Sequence, residues 1–75
     1  MHQLSNEQVK RIRLFLDLTQ EQFAEKLGVS VSTIKFIETN RMAVSARVAT
    51  RIAKLFQPTE EYFQYLQNYR KLSGL

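Results

Sequence analysis

Seventy-five residues, 44% of them apolar and 24% charged, suffice for one small core and describe a single globular domain over 1–75, rather than a disordered segment or a membrane segment. The absence of cysteine and the single His2 near a terminus exclude a disulfide framework, a thiolate metal site and a histidine dyad, so no metal and no cofactor is expected. The net charge of +4 is confined to residues 41–54, where Arg41, Arg47, Arg51 and Lys54 stand without an acid while the flanking segments balance, and such a block favours a polyanionic partner.

In chain order, the first element is announced by Leu4-Ser5 followed by Val9. The hydroxyl can cap a helix, the flanking apolar pair can staple it, and Gln8 can complete a capping box. Val9, Ile12, Phe15 and Leu16 then recur at helical spacing. Lys10, Arg11 and Arg13 on the same helix are offset by local acids and read as a solvated face. The second helix opens on Leu18-Thr19 with Phe23, has a capping box at Gln22, buries Phe23, Ala24 and Leu27, and ends at Gly28 in the left-handed conformation.

Val29-Ser30 with Ile34 opens the third helix, whose inward residues are Ile34 and Ile37. Ser32, Lys35 and Phe36, with Val31 at the start, point outward, and Asn40 can end the helix as Gly28 ends the second. A longer connection, Thr39 to Val44, carries Arg41. The fourth helix follows Val44-Ser45, with Val48, Ile52, Leu55, Ala49 and Phe56 apolar and Arg47, Arg51 and Lys54 on a neighbouring stripe; Pro58 closes it. The fifth opens on Pro58-Thr59 with Phe63 and carries Glu60 and Glu61 in its first turn and Arg70 and Lys71 in its last, matching the helix dipole. Phe63 and Leu66 are expected to seal the core. Tyr62, Tyr65, Tyr69 and Leu72 form a second stripe, available as an interface or as further cover for the core. No segment alternates with period two, so the expected class is all-α with five short helices.

The turn between the second and third helices is only Gly28, Val29 and Ser30, which forces a steep crossing of the helix-turn-helix kind. The stretch LTQEQFAEKLGVSVSTIKFIETNRMAVS, residues 18–45, resembles the lambda-repressor-like helix-turn-helix family of phage repressors, Cro proteins and Xre regulators. The features that carry the likeness are Thr19-Gln20, Ala24, Leu27-Gly28-Val29-Ser30, Ile34 and Ile37-Glu38. The likeness extends over roughly residues 4–70. Many members have Asn-Gly after the glutamate, whereas this chain has Thr39-Asn40.

The resemblance implies a five-helix DNA-binding domain with its helix-turn-helix over 19–39. The third helix would lie in the major groove of a double-stranded operator, with the second crossing the backbone. Val31, Ser32, Lys35 and Phe36 then fall at base-reading positions, and Gln20, Ser30, Thr33, Asn40, Arg41 and Arg47 at backbone positions. Ser32 can donate or accept; Val31 and Phe36 can offer only apolar contact, for which a thymine methyl is the natural target. Two readings stand for Phe36, a base contact or packing beneath its own loop, and three for Lys35: guanine, phosphate or solvent. Relatives commonly dimerise through the C-terminal region, so helix 59–71, with Tyr62, Tyr65, Tyr69 and Leu72, is the expected homodimer interface on a pseudo-palindromic operator.

The expected function is thus a repressor or Cro-like transcriptional regulator of a phage or mobile element, controlled by its concentration, its dimerisation or a protein antagonist. No small-molecule ligand is expected. The rival is an antitoxin-type module that holds a protein partner as well as its promoter. An enzyme is not expected, for want of a nucleophile beside a base or a glycine-rich phosphate loop. No apolar run reaches the roughly 18 residues of a membrane span and Met1–Ser5 has no signal-peptide core, so a cytoplasmic protein is expected.

Overall fold

Five hydroxyl caps open five helices. The computed structural model describes residues 4–57 and 59–72, the last four by their backbone alone. In it α1 spans Asn6–Phe15, α2 Gln20–Leu27, α3 Val31–Glu38, α4 Ala46–Leu55 and α5 Glu60–Leu72, with no strand among the described residues. The Ser5 hydroxyl accepts from the Gln8 N–H at 3.1 Å while Gln8 Oε1 accepts from the Ser5 N–H at 2.8 Å. Thr19 and Gln22 repeat this box. Ser30, Ser45 and Thr59 accept from the N–H of Thr33, Val48 and Tyr62. Each such cap contributes about 1 kcal/mol by satisfying a donor that the helix itself leaves over.

Three helix ends share one device. Asp17, Gly28 and Asn40 adopt φ of 60°, 70° and 61°. The residue after each donates back across the end: Leu18 to the Arg13 carbonyl, Val29 to Ala24 and Arg41 to Phe36, at 3.2, 3.0 and 2.8 Å. This closure satisfies carbonyls that a bare helix end would leave open. Asp17 is the member that the sequence pattern does not announce; a short polar side chain makes this conformation tolerable. Asn40 takes the left-handed place after Thr39, so the Thr39-Asn40 order still closes α3 cleanly. The chain leaves α4 through Phe56 in an extended conformation; Pro58, the expected terminator, lies outside the described residues.

α3 packs on α2 and α1, and α4 on α2. The core between them is Val9, Ile12, Phe23, Ala24, Leu27, Ile34, Ile37, Val48 and Ile52, closed at one end by Phe56 and Tyr62.

Three expectations are corrected here. Tyr62 is a core residue, 6% exposed, and Phe63, expected inside, is 51% exposed. The reason is aromatic packing: the Tyr62 ring meets Phe56 edge-on at 4.8 Å and Phe15 at 5.2 Å, while Tyr65 meets Phe15 at 5.4 Å. Once those edge-to-face contacts orient α5, residue 63 is turned about 100° away from the core. Leu55, expected on the apolar stripe of α4, is exposed, because that helix buries only Val48 and Ile52.

The third correction concerns Arg13, which is not solvated. Its Nε and Nη2 donate to the two Glu38 oxygens at 2.7 and 2.9 Å, and Nη1 donates to the Leu18 carbonyl at 2.9 Å. The two side chains are 12% and 3% exposed, so this bidentate pair ties α1 to the end of α3 in a part-buried, largely sheltered position. The hydrogen bond to Glu38 outweighs the burial and holds the guanidinium pKa above its ordinary value, so it stays charged.

A candidate nucleic-acid interface

Gly28, Val29 and Ser30 join α2 to α3, and the geometry is held from outside by α4. Arg51 Nη1 donates to the Leu27 carbonyl at 2.8 Å, placing a cation on the carbonyl end of α2. The left-handed φ of 70° favours glycine at position 28, and a Cβ there would come within 2.5 Å of that nitrogen and push the Arg51 guanidinium from its place on the carbonyl. The basic stripe of α4 therefore divides: Arg51 is a structural cap, while Arg47 is exposed in the first turn.

On α3, Ile34 and Ile37 are buried and Ser32, Lys35 and Phe36 are exposed. Phe36 is 42% exposed, so its ring is not enclosed beneath the 39–44 loop. Val31 is half-buried against the core, which leaves less of it for any outside contact than its position in the sequence implies. Thr33 is half-buried too, its hydroxyl 2.9 Å from that of the Ser30 cap.

The expected backbone residues fall into three places. Ser30, Thr33 and Arg47 line one shallow groove with Met42 and Ser45, where the starts of α3 and α4 come together. Asn40 and Arg41 are exposed on the adjoining loop. Gln20 stands apart, at the start of α2, and its Nε2 donates to Glu38 Oε1 at 3.1 Å. One amide hydrogen of Gln20 is thereby committed inside the protein, and its other amide hydrogen and the N–H groups of the first turn of α2 are what it can offer an anion.

Of the four residues expected at a dimer interface, two have described side chains. Tyr62 is buried within its own chain, Tyr65 is half-buried, and the side chains of Tyr69 and Leu72 lie outside the described residues. Two further residues lie at the loop beside the outer face of α3. Met42 is 41% exposed on the loop beside Phe36, and Asn6 donates from its side-chain amide to the carbonyls of Ile37 and Met42. An unpaired apolar residue next to Arg41 was a visible signal for Met42; for Asn6 no periodicity or motif provides one. Among the described residues there is no cluster of potential metal ligands and no helix long and apolar enough to cross a membrane.

Two eight-residue helices crossing through a three-residue turn, the second buried on Ile34 and Ile37 and open on Ser32, Lys35 and Phe36, make a helix-turn-helix protein of the five-helix, all-α class. The chain belongs to the helix-turn-helix family in its lambda-repressor-like, Xre form, matching that family over residues 9–63. It is 46% identical over 48 residues to an uncharacterized HTH-type transcriptional regulator of Methanocaldococcus jannaschii, covering 64% of this chain and 73% of that one. Two uncharacterized HTH-type transcriptional regulators of Archaeoglobus fulgidus are 38% and 35% identical over the same length, covering 69% and 68% of theirs. No solved structure matches the chain.

Proposed function

We propose that the protein is a sequence-specific, double-stranded-DNA-binding transcriptional regulator that acts as a homodimeric repressor or Cro-like switch on a pseudo-palindromic operator. The observation that carries this reading is the divided α3. Its inner side is clamped by Ile34, Ile37 and Glu38, and its outer side presents Ser32, Lys35 and Phe36 next to the cations Arg41 and Arg47. In the proposed complex those outer side chains meet base edges, Phe36 against a thymine methyl and Lys35 against guanine or a phosphate. Arg41, Arg47, Asn40 and the capped starts of α2 and α3 meet the backbone. The relatives' printed role as transcriptional regulators supports the same assignment.

For the dimer, burial of Tyr62 moves the proposed contact around α5 to the face that carries the exposed Phe63. Two-fold symmetry would then present two copies of α3 about 34 Å apart, one DNA turn. Selection of the purified protein on random duplexes tests the reading. Enrichment of an inverted repeat with half-sites one turn apart is expected; equal retention of all duplexes, with a steep salt dependence, would show a nonspecific polyanion binder instead.

A further inference from the structure

We propose that Asn6 is a positioning residue for the loop between α3 and α4, setting where Arg41 and Met42 stand from the neighbouring start of α1. The Asn6 amide donates to the Ile37 carbonyl at 2.8 Å and to the Met42 carbonyl at 2.6 Å. These two acceptors flank the left-handed bend at Asn40, one before it and one after. The loop's own backbone bonds tie its N–H groups back to α3, Asn40 to the Ile37 carbonyl at 3.1 Å and Arg41 and Met42 to the Phe36 carbonyl at 2.8 and 3.2 Å, while the Met42 carbonyl is taken by Asn6. Asn6 spans the bend and closes it.

The amide is itself held in place. Asn6 is the first residue of α1, directly after the Ser5 cap and inside the Ser5–Gln8 box, and α1 is locked to α3 by Arg13 and Glu38. Position 6 thus belongs to the rigid frame, while Arg41 and Met42 belong to an exposed loop. The chemistry calls for asparagine. Two carbonyl acceptors need two N–H donors about one side-chain length from the helix; serine has one donor, and aspartate would turn a carboxylate toward two carbonyl oxygens. At the first turn of α1, by contrast, aspartate suits the helix dipole, so Asn6→Asp removes the strap without weakening the helix that carries it.

The importance of the strap for DNA rests on the reading that this loop faces the DNA backbone, so the test has one arm without DNA and one with it. In the free protein, Asn6→Asp should raise hydrogen exchange at the Arg41 and Met42 amides by about tenfold while the amides of α1 and α2 keep their protection. Unchanged exchange at 41 and 42, or loss of protection across the whole domain, overturns the strap whatever the protein binds.

The second arm uses the uncharged Asn6→Ala on the duplex selected as above. Alone it should weaken binding about threefold to tenfold, and in an Arg41→Ala background it should cost almost nothing more. Additive losses would show that Asn6 acts through stability or touches DNA itself, and so overturn positioning. If the wild-type protein binds no duplex, the regulator reading fails, and the exchange arm still decides the strap.

Discussion

Phe36 is a large apolar side chain on the outside of a small protein, and its placement follows from helix geometry. With Ile34 and Ile37 buried, position 36 of the same helix is turned outward by the 100° step between residues. If it reads a thymine methyl, Phe36→Ala should cost roughly 1 to 3 kcal/mol at one base pair per half-site and leave affinity for unrelated duplexes nearly unchanged. Titrations against the selected operator and its single-base variants measure this; an equal loss on every sequence would point to packing instead. Arg41 should behave in the opposite way, with Arg41→Ala weakening binding to all sequences and lowering the slope of log affinity against log salt by about one unit. Base-reading and backbone-contacting residues are thus separable by what each does to sequence preference and to salt dependence.

At the scale of the element, α3 is too short to be stable alone, since isolated helices below about 12 residues are marginal in water. It is held by Ile34 and Ile37, by the Ser30 cap, by the closure at Asn40 and by Glu38. Glu38 joins three helices: it accepts twice from Arg13 of α1 and once from Gln20 of α2. Glu38→Ala should therefore destabilise the domain by about 1.5 to 3 kcal/mol, because it leaves the part-buried Arg13 charge without its partner. Replacing both, Arg13→Met with Glu38→Leu, should recover most of that loss, since two well-packed apolar side chains avoid the desolvation cost. Urea unfolding of the three proteins gives the comparison, and a double variant no more stable than Glu38→Ala would refute it.

For the whole molecule, the end of the core is an aromatic cluster in which α5 is seated by Tyr62. Burial raises the Tyr62 pKa above its ordinary 10.0, with Arg11 opposing and Tyr65 adding to the shift. The folded state therefore keeps a proton that the unfolded chain gives up first. Stability from this group is fully present below pH 10 and declines as pH rises through the folded pKa. Tyr62→Phe keeps the ring and removes the proton, so the fall in melting temperature above pH 10 should be shallower than in the wild type. The exposed Phe63 belongs to the same scale. Under the proposed dimer, Phe63→Lys should shift sedimentation equilibrium toward monomer and lower operator affinity while leaving the melting curve of the isolated chain close to that of the wild type.

Local chemistry made much of this legible in the sequence. A hydroxyl followed three residues later by a free N–H, a glycine or asparagine after the last apolar position, and apolar residues three and four apart are one-dimensional signals, and they placed five helices, the short turn and the outward residues of α3. What they could not determine was which way a helix turns when two stripes compete, or which distant groups meet. Tyr62 and Phe63 are adjacent in the chain and similar in character; only the rings of Phe15 and Phe56 choose between them. Arg13 lies 25 residues from Glu38 and Asn6 lies 36 from Met42, and no spacing rule reaches across such distances. Those contacts exist because burial makes an unpaired charge or carbonyl costly, and which partner satisfies it is decided only when the helices pack.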